Sequence, residues 1–501
     1  MTNDTGLQQA FGHINSGLSL PGFFNEKVLF PSLEELKLSS MCQLKRIWHS
    51  QLHGQSFYKL ASLTVELCEN LSHVFSSNSM DMLQSLNKIK AVGCPSLEAL
   101  FEPINLRAEK RQKPLVLPAL RELTLLNLSR LRDILESDCK VTLAFPSLME
   151  VNVKGCHSLP YLFSSAMAEI LDKLAVLDVS CCNNLRGIIA MEEGKWKTLE
   201  TLKFHQLSTL KLGDLENLIS FCSVSCASDG LQPLFDEKHH YVFRNPIELD
   251  LACYHDENVT FPSNFLLHGF PNLEVLSLSC SSFEEIFPED ACGHGGATFY
   301  GESTDMETSL KTLKNLWRLE LNKLCKLQRI WKDGSLMAEI LKQIETLLIS
   351  ECSSLSIVLP SPTTFQRLVG LEVGDCASLV HMGTCSAMTS LVHLIWLTLR
   401  NCDTMEDVVT NDGNGVGEIS FPKLQLLTLD GLPSLESFSP TNCTFMFPSL
   451  WHIIVKQCPK MNIFCNGALS TPILHKVHLS DEDYEGRWEG DLNTTIQFLS
   501  T

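Results

Sequence analysis

An α/β solenoid, curved like a horseshoe with a parallel sheet on its concave side and an irregular or short-helical return side, is the fold class predicted by three observations. The first is a pattern. In residues 145–163, FPSLMEVNVKGCHSLPYLF, the apolar side chains Leu148, Val151, Val153, Cys156, Leu159, Leu162 and Phe163 stand at fixed offsets. The second is its recurrence, about fourteen times at steps of mostly 24 to 30 residues within a 501-residue chain. The third is alternation inside each copy, as in Leu36/Leu38, Leu123/Leu125, Leu276/Leu278 and Leu427/Leu429. That period of two belongs to a strand with one buried face.

Copies begin at Leu33, Leu60, Leu86, Leu120, Leu148, Leu174 and Leu199, then at Leu273, Leu316, Ile344, Leu368, Leu394, Leu424 and Leu450. The spacing L-x-x-L-x-L-x-x-C is that of a leucine-rich repeat, one strand followed by a turn and a return segment. A single copy cannot bury its own apolar face, so neighbours share one core and the chain reads as one elongated domain. Strands pair at ~4.8 Å while the bulkier return segments need more room, which bends the stack toward its strands. The expected organisation is an N-terminal segment 1–29 without a clear cap, a solenoid over 30–480 and an acidic cap or tail over 481–501. Segment 1–29 is either poorly ordered or the continuation of an upstream part. Two stretches break the lattice. In residues 208–272 only Ile247, Leu249 and Leu251 keep a degenerate strand, and residues 281–310 form an acidic, Gly-rich loop insert. A partial last copy is carried by Leu474, Val477 and Leu479.

Eight positions after the first leucine stand Cys68, Cys94, Cys156, Cys182, Cys352, Cys376, Cys402 and Cys458. A small apolar side chain with a weak S–H donor suits the place where the strand turns away. One thiol per repeat makes a ladder and not a tetrahedron, so no metal is expected there. A column of buried thiols fits a reducing compartment. With no secretory signal and no apolar run of ~18 residues, the expected location is the cytoplasm.

The formal charge of −19 argues against nucleic acid and anionic membrane as partners, because both need a basic face. Residues 229–257, 281–310 and 481–501 carry −17 of it. The outward strand positions are balanced instead. Their acids are Glu35, Glu66, Glu122, Glu150, Asp178, Glu320, Glu372 and Asp430, and their bases Lys37, Lys88, Lys90, Lys154, Lys203, Arg318, Arg400 and Lys456. The candidate partner-binding residues on this concave face are Glu150, Asn152, Lys154, Arg318, Glu320 and Arg400, with the apolar Leu348, Trp396, Leu426 and Ile454. Exposed Trp and Leu in a cluster make an interaction hot spot.

An enzyme needs convergent groups, and the sequence holds no G-x-x-x-x-G-K-S/T phosphate loop, no G-x-G-x-x-G, no H-E-x-x-H and no G-x-S-x-G. The run Cys292-Gly293-His294-Gly295-Gly296 sits in the loose insert without a partner nucleophile. His239 and His240, with Cys222 and Cys226, match no standard zinc spacing. No catalytic residue, cofactor or metal is expected.

The repeats resemble the C-terminal leucine-rich region of plant coiled-coil nucleotide-binding leucine-rich-repeat disease resistance proteins. The likeness is carried by the FPSL, FPNL and FPKL openings at Phe30, Phe145, Phe270, Phe421 and Phe447, by GCPSLEALF from Gly93, by LKRIWHSQL from Leu44, by LQRIWKDG from Leu327 and by WEGDLNTTIQ from Trp488. It implies an intracellular immune recognition region that senses a pathogen effector or a guarded host protein and restrains a nucleotide-binding switch. No phosphate loop, switch domain or signalling coiled coil accompanies the repeats in this sequence, so nucleotide binding is not implied here. The expected function is a non-enzymatic protein-recognition module in plant defence. Its protein partner is an effector, a host guardee or a separate switch domain. The alternative is a leucine-rich-repeat substrate adaptor of a ubiquitin ligase, or another intracellular scaffold. A secreted receptor is disfavoured by the missing signal and the absent G-x-I-P element.

Overall fold

The computed structural model describes residues 22–24, 28–48, 56–76, 82–102, 115–135, 143–191, 204–218, 220–224, 247–252, 270, 272–287, 315–331, 341–359, 365–413, 417–480, 482–483 and 485–500. The chain divides into two compact units, residues 1–246 and 247–501.

In the first unit seven five-residue strands are described: β1 (Glu35–Ser39), β2 (Ser62–Glu66), β3 (Lys88–Val92), β4 (Glu122–Leu126), β5 (Glu150–Lys154), β6 (Val176–Ser180) and β7 (Thr209–Gly213). Each pairs in parallel with the next, residue for residue. The second unit has eight: β8 (Glu248–Ala252), β9 (Val275–Ser279), β10 (Arg318–Asn322), β11 (Thr346–Ser350), β12 (Gly370–Gly374), β13 (Trp396–Arg400), β14 (Leu426–Asp430) and β15 (His452–Lys456), again parallel and in register. Each unit is thus a parallel-sheet solenoid. In nearly every strand the second and fourth residues are buried and the first, third and fifth lie open, as the alternation requires.

Two turns bound each strand and explain why it stops at five residues. Before it, the N–H of the first repeat leucine donates to the carbonyl three residues earlier: Leu148 to Phe145 at 3.1 Å, Leu424 to Phe421 at 3.3 Å. Proline in FPSL presets the backbone angle at the second turn position. The phenylalanine becomes a core rung, and Phe421 and Phe447 stack at 5.1 Å. After the strand comes a residue in the left-handed region, with φ +68° at Gly155 and +55° at Asn127. Its N–H reaches the next strand, Gly155 to Ser180 O at 3.1 Å and Gly431 to Lys456 O at 2.9 Å. The column cysteine follows and starts the second turn, with Leu159 N donating to Cys156 O at 3.3 Å.

The cysteine ladder does what its chemistry allows. The eight column cysteines are free thiols, seven fully buried and Cys458 partly so. Their Sγ atoms lie against strand-end carbonyls: Cys182 on Ser180 O at 3.2 Å, Cys352 on Ser350 O at 3.4 Å, Cys458 on Lys456 O at 3.3 Å. Burial pushes the thiols of Cys352 and Cys458 up to about 11, so both stay protonated and able to donate.

The return side is richer in strand than the sequence predicts. Short parallel ladders run through His73–Phe75, Ala99–Phe101 and Asp133–Leu135, and through Glu418–Ser420, Thr444–Met446 and Leu469–Ser470. Described helix is limited to α1 (Ser165–Ala168), α2 (Cys385–Met388) and α3 (Leu492–Leu499). Ser164, Thr384 and Asp491 cap them by accepting from backbone N–H groups. Among the described residues no helix is long and apolar enough to cross a membrane.

Four expectations need correction. The seventh copy starts at Leu207 and not at Leu199: Phe204, Leu207, Leu210 and Leu212 are the buried rungs, and β7 lies two residues after Leu207. FHQL is the turn opening there, in place of FPSL. Lys203 lies outside the described residues, and Lys211 holds the outward position. The stretch 208–272 accordingly begins with a regular repeat, and its degenerate strand is real as β8, although Ile247 itself is 45% exposed. Residues 281–287 belong to the lattice: Ser281, Phe283 and Ile286 are buried, and Glu285–Phe287 pairs with Arg329–Trp331. Only the remainder of 281–310 lies outside the described residues, and His294 with it.

Ahead of the first copy, aromatic side chains pack against it. Phe24 pairs in parallel with Trp48, and Phe24, Trp48 and Phe57 pack with ring centroids 5.0–6.0 Å apart. Trp48 Nε1 donates to Val74 O at 2.7 Å. At the far end Leu474 and Val477 are buried as expected, whereas Leu479 is exposed, because Val477 pairs antiparallel with Arg487 and ends the ladder.

Candidate functional site

The open face of the strands consists of three columns in each unit, set by the first, third and fifth strand residues. In the first unit several charged residues of these columns pair with one another across neighbouring strands. Glu66 lies between Lys37 and Lys90, at 2.6 and 3.4 Å, Lys88 pairs with Glu122 at 2.5 Å, and Lys154 with Asp178 at 2.9 Å. The two lysines hold the Glu66 carboxyl below its ordinary range, with the hydrogen bond from Lys37 the largest cause. Glu150 is exposed, and Asn152 Oδ1 is buried without a hydrogen-bond partner among the described residues.

The second unit differs. From β10 onward its first column runs Arg318, Thr346, Gly370, Trp396, Leu426, His452, and its second runs Glu320, Leu348, Glu372, Thr398, Thr428, Ile454. Arg318 is tied to Glu320 on its own strand at 2.5 Å, and Lys456 to Asp430 at 3.1 Å, while Arg400 is exposed. The register places Trp396 beside Leu426 and Gly370, and Leu348 two strands back. Gly370 is the residue the sequence reading passed over. A Cβ there would overlap the six-membered ring of Trp396 and lie 2.6 Å from Nε1. The indole therefore lies across the glycine and buries it, although its strand position faces outward. A glycine at the start of a strand, beside a tryptophan on the next, was the available signal.

Ile454 does not join this patch. It is 3% exposed, because the terminal segment bridges to it at His478, and the His478 ring lies tilted against His452 with centroids 4.6 Å apart. Next to this closure Trp451 is 55% exposed. The candidate set thus separates into the neighbours Trp396 and Leu426, Leu348 two strands back in the next column, the exposed Arg400, an ion pair of Arg318 and Glu320 on β10, and the polar trio Glu150, Asn152 and Lys154 in the other unit.

The described residues hold no group of three His, Cys, Asp or Glu that could bind a metal ion. Cys222 is buried in the return ladder, while Cys226, His239 and His240 lie outside the described residues. The open face of the second unit presents a half-exposed aromatic plate over the backbone of Gly370, with aliphatic and charged residues around it.

The family "Plant disease resistance protein RPS2-like, leucine-rich repeats" matches residues 32–183, 237–365 and 360–468, well over half of the chain. The probable disease resistance protein At4g27220 of Arabidopsis thaliana is 33% identical over 157 residues, 30% of this chain and 16% of that protein. A second from the same plant, At1g61190, is 30% identical over 149 residues, 28% of this chain and 15% of that protein. The match spans about a sixth of the length of these relatives. Among solved structures, the plant peptide hormone receptor RGFR1 in complex with RGF2 aligns over 88% of this chain and 81% of that chain, at 13% identity and a TM-score of 0.25. The repeats from Leu33 onward place this chain in the RPS2-like leucine-rich repeat family of plant disease resistance proteins.

Proposed function

We propose that this chain is a non-catalytic recognition region of plant defence, acting in the cytoplasm, which senses a pathogen effector or a guarded host protein through the open face of its strands. The observation that carries the reading is the plate of Trp396 over Gly370, continued by Leu426. Large aromatic side chains held rigid at a surface lose little conformational freedom on binding and dominate interface energetics. The family membership supplies the biological setting and the interaction role. A nucleotide-binding switch, where one is engaged, is a separate partner in this reading.

The test is capture from infected and uninfected plant tissue with the purified chain and with Trp396→Ala, whose fold is checked by circular dichroism. An effector, host target or switch-domain protein retained by the wild type and lost with Trp396→Ala is the expected result. Equal capture by both, or none above background, refutes it.

A further inference from the structure

We propose that a cradle at the N-terminal edge of β9, β10 and β11, formed by Glu274, Trp317 and Glu345, takes an arginine side chain of a protein partner. The inference rests on the recognition reading and adds a second contact of stated chemistry, apart from the Trp396 plate. The three residues occupy the same place in successive repeats, one position before each strand. The backbone ties them together as rungs, with Trp317 N donating to Glu274 O at 3.0 Å and Glu345 N to Trp317 O at 2.7 Å. Rungs of a parallel sheet repeat at ~4.8 Å, so the backbones of the two glutamates stand about 10 Å apart with that of Trp317 between them.

The space above is a cavity of 450 Å³, bordered also by Asn315, Gln343 and Arg367. Among the described residues Glu274 and Glu345 make no side-chain hydrogen bond or ion pair, unlike the matched acids on the open face of the first unit. All three cradle side chains are half-buried and keep an open side toward solvent. A planar cation fits this arrangement, since guanidinium stacks on an indole face and its N–H fork reaches carboxylates at its edges. Lysine, a compact and strongly hydrated ammonium, uses the aromatic face less well. The exposed Arg367 closes one end and favours an acidic or neutral residue of the partner on that side.

The test uses the full chain carrying 5-fluorotryptophan. Among the seven tryptophans, the Trp317 fluorine signal is identified by its loss in Trp317→Phe. Titration with the peptide acetyl-Gly-Arg-Gly-amide is expected to move that signal saturably. The same peptide with citrulline, neutral and of the same shape, is expected not to. Glu274→Gln and Glu345→Gln should each weaken binding about threefold, and the pair about tenfold, as for half-exposed ion pairs. No saturable shift, an equal shift with citrulline, or undiminished binding by the double variant overturns the cradle. If the arginine peptide fails while a protein is still captured through Trp396, the cradle alone is lost. If the peptide binds while capture fails, the recognition reading is lost and the cradle stands.

Discussion

Replacing Gly431 with alanine tests the left-handed column that joins each strand to the turn after it. Gly431 has φ +66°, and an added Cβ would overlap Asn401 Oδ1 and come within 3.4 Å of Asn401 N. An L-residue in this region costs ~1–2 kcal/mol. Asn401 must also swing away and release its hydrogen bond to Asp375, 3.0 Å long and exposed. That loss adds about 0.5 kcal/mol, and the stiffer unfolded chain of alanine returns about 0.4–1 kcal/mol. The net destabilisation is then about 1–2 kcal/mol. Gln457 holds the same position in the next repeat, at φ +51°. Gln457→Gly relieves the backbone penalty at the cost of a looser unfolded chain, a net gain of about 0.5–1 kcal/mol. Denaturation midpoints in guanidinium chloride, with hydrogen exchange over residues 424–457 as the local readout, give both signs. Exchange matters because repeat arrays can lose a repeat without unfolding as a whole. An unchanged Gly431→Ala, or a destabilised Gln457→Gly, refutes the account of the column.

Gly370→Ala should lift the Trp396 indole off the sheet while changing the denaturation midpoint by less than about 1 kcal/mol equivalent, because the ring is half-exposed and can swing aside. Partner capture should fall as it does with Trp396→Ala. Asp491 caps α3 by accepting from Thr494 N and Oγ1, both at 2.8 Å, and the Thr494 backbone bond holds its carboxyl below the usual range. Its contribution is therefore present above the unfolded carboxyl value, ~3.9, and is lost as pH falls through the folded one. Asp491→Ala should cost about 1 kcal/mol at pH 7, read from thermal unfolding, and progressively less as pH falls below the unfolded carboxyl value of ~3.9. Asp407 behaves oppositely. Burial raises its carboxyl, against the lowering hydrogen bond from Ser437 Oγ at 2.5 Å. A carboxyl raised on folding holds its proton more tightly in the native state, so its penalty is in force at pH 7. Asp407→Asn should thus match or exceed the wild type at pH 7 and lose that advantage below about pH 4.

The repeat lattice was legible because each rung obeys local rules. Leu148, Val151 and Val153 announce a half-buried strand, and Cys156 marks the turn out of it. The misplacement at Leu199 has a local cause: FHQL lacks the proline that makes FPSL conspicuous, and the apolar run around Leu199, Leu202 and Phe204 imitates a strand start. The short return strands escaped notice because pairs such as Phe75 and Phe101 read equally well as irregular core. The aromatic packing at Phe24 was hidden for another reason. Its partners Trp48 and Phe57 come from neighbouring segments, and nothing in the spacing links them.

By itself the sequence determined the repeat, the parallel pairing, the alternation of faces in most copies and the family, because strand period and turn chemistry act over a few residues and are copied from rung to rung. Only the tertiary structure decided what the open face offers. It laid Trp396 across Gly370, covered Ile454 with the segment around His478, and lined one cavity with Glu274, Trp317 and Glu345. Those outcomes depend on contacts between residues from different repeats and on where the terminal segment folds back. Side-chain reach and burial across repeats are not encoded in any local period.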